Sequence, residues 1–196
     1  MRVGVAGLNA AGKGEVVRLL ERRGFYPASL SDVIRDDLAR EGLEPTRERM
    51  IERGSALRER FGPAVLAERV QRKLPDDRNH VIDSIRHPAE VEALRAGGPF
   101  VLLWVEASAR LRFERSHARG RSGDAQTFEA FEAVQARELG SADPAAQQLL
   151  AVKALADETV LNDGSLAELE TRLGEVLRDK LFFRERPSWD EYFMSM

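Results

Sequence analysis

Cysteine is absent from all 196 residues, which excludes disulfides and thiolate-ligated metals and agrees with a cytoplasmic home. Apolar runs of membrane-spanning length are also missing, and the N-terminus enters a strand at once instead of presenting a signal peptide. A cytoplasmic protein with no membrane partner is therefore expected. Neither sign of charge dominates: 30 Lys and Arg against 33 Asp and Glu leave a formal net charge of −3. That balance argues against a nucleic-acid binder, although local arginine clusters remain. There is no internal repeat, no low-complexity tract, and no linker to mark a domain boundary before residue 181. The length suits one α/β domain with a sizeable core and is too short for two ordinary ones.

What is present is concentrated at the start. Val3 and Val5 read as a short buried strand, and Val16, Val17, Leu19 and Leu20 give the apolar spacing of a helix. Between them Gly7 and Gly12 bracket four residues and Lys13 follows, a G-x-x-x-x-G-K spacing in strand–loop–helix context. Backbone N–H groups of such a loop point inward at a polyphosphate, the opening helix adds its positive end, and the lysine reaches the β and γ phosphates. Gly7, Asn9, Ala10, Ala11, Gly12, Lys13, Gly14 and Glu15 are accordingly the candidate cradle. In place of the usual Ser or Thr after the lysine stand Gly14 and then Glu15, so no hydroxyl is ready there to ligate Mg²⁺. Arginine outnumbers lysine, a choice that suits phosphate recognition as well as surface charge.

Further along, Gly24 supplies a stop, Phe25 to Leu30 make a second strand, and Ser31 and Asp32 stand as N-caps of the next helix. Residues 33–74 read as three helices, broken at residues 42–46 and at Gly62-Pro63, an insertion-like helical block. His80 to Asp83 form a third strand. A helix with Pro88 in its first turn follows, capped by His87; His80 and His117 receive no role. Phe100 to Val105 is an unbroken apolar run suited to the middle of a parallel sheet. Then come a charged helix from Ser108 to about Arg119, an interruption at residues 120–124, a helix from Thr127 to Leu139 and a last strand from Glu158 to Asn162. Ser165 and Glu168 make a capping box for the closing helix. The alternation predicts an α/β fold: three layers, with a five-stranded, mostly parallel sheet between helices.

Three clusters beyond the cradle carry charge suited to phosphoryl transfer. Ser31, Asp32 and Arg35 sit where the second strand hands over to a helix, at the carboxyl edge where ligands bind in such sheets. Arg35 either forks onto a monophosphate or is a solvated helix arginine. Asp83 ends a strand at the same edge, the place for an acid that holds Mg²⁺ through water, with Arg86 beyond it facing an acceptor phosphate. The alternative there is a capping Asp and a surface Arg. Arg110, Arg112, Arg115, Arg119, Arg121 and Arg137 crowd the later helices and a glycine loop. Arg110 and Arg112 are expected on a solvated face, while Arg119 and Arg137 are the candidates for a charge clamp.

With these motifs the chain resembles the nucleoside monophosphate kinase group of P-loop proteins, including adenylate kinase and dephospho-coenzyme A kinase. The resemblance covers about residues 1–180 and is nearest to a branch with Gly-Lys-Gly-Glu. Residues 30–35 look like the segment that grips the acceptor monophosphate, and residues 82–86 like an Asp-Gly-Phe-Pro-Arg strand end. Residues 119–124 resemble a lid, and Asn162 to Ser165, with Gly164, the loop near the adenine. The resemblance implies the P-loop NTPase fold, a helical acceptor-binding insertion, ATP and Mg²⁺ as cofactors, and a phosphorylated acceptor. Residues 186–196 are similar to the opening helix of deoxycytidylate deaminases, yet the chain has no Pro-Cys-x-x-Cys and no His-x-Glu. Zinc deaminase chemistry is thus absent from these residues. The tail, residues 181–196, is either the start of such a domain or an amphipathic helix seeking a partner surface.

The leading expectation is a kinase acting on a nucleoside or deoxynucleoside monophosphate or on dephospho-coenzyme A. Lys13, Asp83, Arg119 and Arg137 would be its catalytic groups, and Ser31, Asp32, Arg35 and Arg86 would bind the acceptor. The rival is a nucleotide-sensing domain that regulates a deoxycytidylate deaminase with little turnover.

Overall fold

Alternating apolar strands and amphipathic helices build a five-stranded parallel sheet of order β2-β3-β1-β4-β5 in the computed structural model, which describes residues 1–120, 125–139 and 148–179. The strands are β1 (Arg2–Ala6), β2 (Tyr26–Ser29), β3 (His80–Asp83), β4 (Phe100–Glu106) and β5 (Glu158–Leu161). Central β1 pairs with β3 and β4, in register Val3↔Val81 and Val3↔Val101. Period-two alternation sends Val3 and Val5 to one face and Gly4 and Ala6 to the other. A side chain at Gly4 would collide with the Phe100 ring, so the second face packs directly onto the strand there.

Each face is sealed by its own core. On one, Val3, Val5, Val81, Leu103, Val105 and Val160 meet Val16, Leu19 and Leu20 of α1 (Lys13–Arg22) and Leu169, Leu173 and Leu177 of α9 (Leu166–Asp179). The other is covered by α2 (Leu30–Arg40), α3 (Arg47–Phe61), α4 (Val65–Gln71), α5 (Pro88–Ala96) and α8 (Leu149–Ala154), which pack around Ile82, Leu102 and Trp104. Right-handed crossovers require this division, because the chain leaves β1 in one direction and β2, β3 and β4 in the other. The remaining described helices are α6 (Ala109–Arg119) and α7 (Phe128–Leu139).

The three-helix block falls as its breaks predict, with Thr46 Oγ1 accepting from the Arg49 N–H at the start of α3. His87 caps α5 with its ring nitrogen, 3.1 Å from the Ala89 nitrogen, and Glu90 closes the box. The Ser165–Glu168 box also forms. Two expectations need correction. Ser31 and Asp32 are not caps: α2 begins at Leu30, Ser29 is the N-cap, and both residues lie inside the first turn. The second strand is correspondingly shorter, since its edge position pairs it with β3 alone and leaves Tyr26 and Pro27 exposed. Helix α8 is an addition, too short for periodicity to reveal but anchored by buried Leu149 and Val152. Residues 121–124 of the expected lid and the 181–196 tail lie outside the described residues. No described helix is long and apolar enough to cross a membrane.

Candidate functional site

The glycine loop joins the carboxyl end of β1 to α1. Two of its glycines are demanded by the backbone: Gly7 has φ 149° and Gly12 φ 95°, a region costly for any residue with a β-carbon. A side chain at Gly7 would also strike the Val105 carbonyl of β4, and one at Gly12 the Asn162 amide. Ala10 itself sits at φ 59°, backbone strain of the kind concentrated at ligand clamps. Asn9 is half-buried beside it and Ala11 is buried. Helix α1 starts at Lys13, so its positive end faces the loop, while the Glu15 N–H of its first turn donates to the Gly12 carbonyl at 2.9 Å. The Lys13 ammonium donates to the Gly7 and Leu8 carbonyls, both at 2.8 Å, and so lies over the mouth of the loop. Gly14 has ordinary helical φ and space for a side chain, and Glu15 pairs with Arg18 at 2.6 Å.

Asn162 comes to this loop from the end of β5. Its side chain is 5% exposed and donates to the Ala11 carbonyl at 2.9 Å. Gly164, further along, is kept small by the Glu168 carboxylate that closes the capping box. Sequence reading passed over one neighbour. Arg115 of α6 donates from Nη2 to the Asn162 carbonyl at 2.9 Å. Its buried Nη1 has no partner among the described residues and would lie 3.8 Å from a β-carbon at Gly12. A buried guanidinium N–H aimed at a phosphate cradle is a ready anion contact. The clue available beforehand was its position on the arginine-rich helix after β4, but only the strand order puts that face of α6 beside the loop.

The opposite wall is the carboxyl end of β2 and β3, where Ser29 and Asp83 are register partners. Ser84 adopts φ 62° and turns its hydroxyl into a cluster with Ser29, at 3.0 Å, and Ser31, at 3.4 Å. Arg35 donates to the Ser31 hydroxyl at 2.8 Å and to Asp32 at 2.6 Å. Arg86 is fixed by its backbone N–H, which donates to the buried Glu90 carboxylate at 2.8 Å. The same carboxylate accepts from Arg58 of α3 and from the His87 N–H. Loop and wall thus bring Lys13, Asp83, Ser31, Arg35 and Arg86 to one edge of the sheet.

Asp83 offers the test for a metal. Its Oδ1 is buried and unpartnered among the described residues, as an acid reserved for a cation's hydration shell would be. No cluster of three or more His, Asp or Glu side chains accompanies it among those residues. The donor set fits an ion carried mainly by a ligand's phosphates and waters, with Asp83 in its outer sphere.

The remaining arginines divide. Arg110 is solvated and paired with Glu114, as expected. Arg112 is not on a solvated face. It is 3% exposed, donates from Nε to the Ala107 carbonyl and faces the Phe131 ring of α7; burial lowers its pKa, with Glu106 partly offsetting the shift. Arg119 is exposed as the last residue of α6, before Gly120 in the left-handed region. Arg137 lies on α7, and its side chain is outside the described residues.

Comparisons with known proteins agree with this fold. A family model described as an AAA domain matches residues 3–138. A UPF0200 protein of Hyperthermus butylicus is 35% identical over 175 residues, covering 88% of this chain and 91% of that one. The UPF0200 protein of Pyrobaculum aerophilum is 38% identical over 177 residues, covering 88% and 94%. Among solved structures, TT1252 from Thermus thermophilus superposes with a TM-score of 0.56 at 22% identity, covering 92% of this chain and 97% of that one. An uncharacterized protein from Eubacterium ventriosum gives 0.53 at 11% identity, covering 92% and 99%. At these identities the two structures speak to the fold alone.

Proposed function

The chain belongs to the AAA domain family over residues 3–138 and to the UPF0200 family over most of its length, and from that premise we propose that it is an ATP-dependent phosphotransferase acting on a small phosphorylated acceptor. The observation that carries the reading is Lys13, over the mouth of a preformed phosphate loop, at the same sheet edge as Asp83, which keeps a buried carboxylate oxygen unpartnered among the described residues. In this reading the loop N–H groups and the positive end of α1 bind the ATP phosphates. Lys13 exchanges its two carbonyl partners for phosphate oxygens and neutralises charge as the γ-phosphoryl leaves. A Mg²⁺ bound with ATP would supply further charge neutralisation, and Asp83 would hold it through water. Arg115 stabilises the phosphates from the side of α6.

Arg35 binds the acceptor phosphate by releasing Asp32. Both side chains are more than half exposed, so the exchange of partners costs little. Arg86 faces the same phosphate, and Ser31 holds Arg35 in place. Arg119 and Arg137 complete the clamp on closure. Reaction by positioning and electrostatics needs no covalent intermediate with the protein. A nucleoside or deoxynucleoside monophosphate or dephospho-coenzyme A meets these requirements.

One observation favours a second reading, a nucleotide-sensing domain with little turnover: Gly14 brings no hydroxyl to the metal, and the deaminase-like tail would give such a sensor its target. The test is ADP release from Mg²⁺-ATP against a panel of nucleoside monophosphates, deoxynucleoside monophosphates and dephospho-coenzyme A, with ATP binding followed in parallel. One acceptor that stimulates ADP release is expected. Tight ATP binding without stimulation by any of them would replace the kinase with the sensor.

A further inference from the structure

A groove of about 890 Å³ opens between α2, α3 and α4, lined by none of the residues of the phosphate loop, of Asp83 or of the serine cluster. Its lining carries seven cationic side chains against four carboxylates, in a chain whose formal charge is −3. Three of the carboxylates are already committed. Arg53 bridges Asp37, at 2.9 Å, and Glu41, and Lys73 holds Asp36 at 2.9 Å. These contacts keep the Asp36 and Glu41 carboxyls below their ordinary pKa values, through Lys73 and Arg53 respectively. They therefore stay ionised and internally neutralised; Arg40 also lies 3.9 Å from Asp37 and Arg72 3.7 Å from Glu68, so among the lining residues Glu52 stands against Arg49, Arg60 and Arg69.

Those cations are unlike ordinary surface arginines. Arg60 and Arg69, on different helices, each stack on the Phe61 ring with the guanidinium carbon 4.9 Å from its centre. Neither has a carboxylate partner among the described residues. Among the described residues the Arg49 guanidinium donates only to a backbone carbonyl, that of Glu44. Phe61 is 49% exposed at the last position of α3, a costly place for a phenyl ring unless it works as a platform. Stacking on it orders two long side chains in advance, which removes part of the entropy that binding would otherwise cost. The planar N–H donors remain open toward the groove, in the fork geometry that matches phosphate oxygens.

We propose that this groove is a second ligand site, for a small anion bearing two or more phosphate groups, held by Arg60 and Arg69 on the Phe61 platform with Arg49 completing the contact. The site goes beyond the phosphotransferase reading and stands without it. Its ligand is either inorganic or the polyphosphate moiety of a nucleotide, since both present the same oxygens.

Calorimetric titration of the full chain with pyrophosphate tests it, using Lys13→Ala to weaken the phosphate loop and Arg60→Ala/Arg69→Ala to remove the platform cations. Pyrophosphate binding that survives Lys13→Ala and weakens at least tenfold when the two arginines are also replaced is expected, with weaker binding at higher salt. Competition by ATP for the site left in Lys13→Ala would assign it to nucleotides, and failure to compete would assign it to the inorganic anion. Loss of all pyrophosphate binding in Lys13→Ala alone would overturn the proposal. Should the double variant misfold, backbone amide shifts in the unsubstituted chain decide instead. Pyrophosphate is expected to move residues 49, 60, 61 and 69, and shifts confined to residues 7–15 would overturn the second site.

Discussion

Around the phosphate loop the fixing contacts are buried and leave the chain no alternative: Gly7 abuts the Val105 carbonyl, Asn162 holds Ala11, and Arg115 holds Asn162. Around α2, on the far wall of the same cleft, Arg35 and Asp32 form an exposed ion pair, which can be made and broken against water. One wall is built to be rigid before any ligand arrives; the other can exchange partners. The exception is the Arg58–Glu90 pair, with side chains 4% and 0% exposed. It ties the helical block to the turn that carries Arg86 and gives the adaptable wall a single stiff hinge point.

The sharpest way to break this contrast is at that exception. Glu90→Ala strands a buried guanidinium and two backbone N–H donors, and a loss of about 3–5 kcal/mol is expected in denaturant unfolding. A change below about 1 kcal/mol would mean that the wall has no stiff point. Next in size, Asn162→Ala leaves the Ala11 carbonyl without its donor at a cost of about 1–3 kcal/mol. ATP affinity should fall with it, since the loop loses its lateral support; unchanged affinity would show that the loop does not depend on that clamp.

Arg35→Ala should alter stability by only about 0.5 kcal/mol or less, as an exposed pair does. Once the ADP-release panel has named an acceptor, its KM should rise much more than that of ATP, and equal rises would count against the division of labour between the walls. The smallest effect concerns acid. Hydrogen bonds from the Ser165 backbone and hydroxyl hold the Glu168 carboxyl below its ordinary value of 4.5. A depressed folded-state pKa means that the stabilisation is present above the unfolded value and is lost as pH falls through the lower folded one. The protection of the Ser165 amide, taken relative to its intrinsic exchange rate, should therefore fall only below about pH 4.5, while the core strands remain protected.

The legible parts of the sequence were those encoded locally. The G-x-x-x-x-G-K loop carries its positive-φ glycines in its own spacing, the Ser165–Glu168 box spans three residues, and β4 announces itself by an unbroken apolar run. The wall opposite was legible in its residue types, because Asp83 and Arg86 follow directly from a strand end. What escaped were contacts between distant segments. Arg58 and Glu90 lie 32 residues apart and look separately like surface charges. Arg112 and Arg115 share one helix with solvated Arg110, and no pattern in that helix says which face meets α7 and which the phosphate loop. Ser84 is unremarked in sequence because a serine gives no sign that its backbone is left-handed.

Proline in β2 has an effect on the life of the protein outside its own cleft. The Tyr26 N–H points inward, donating to Asn79 at 2.8 Å, so alternation turns position 27 outward, where Pro27 has no hydrogen to offer. The preceding outward donor, the Phe25 N–H, is spent on the Leu20 carbonyl at 3.1 Å. A strand from a neighbouring copy would find no ladder to continue at either position. The border of the sheet is thereby blunted against polymerisation through its β2 side, a protection built into the main chain that no change of salt or pH removes.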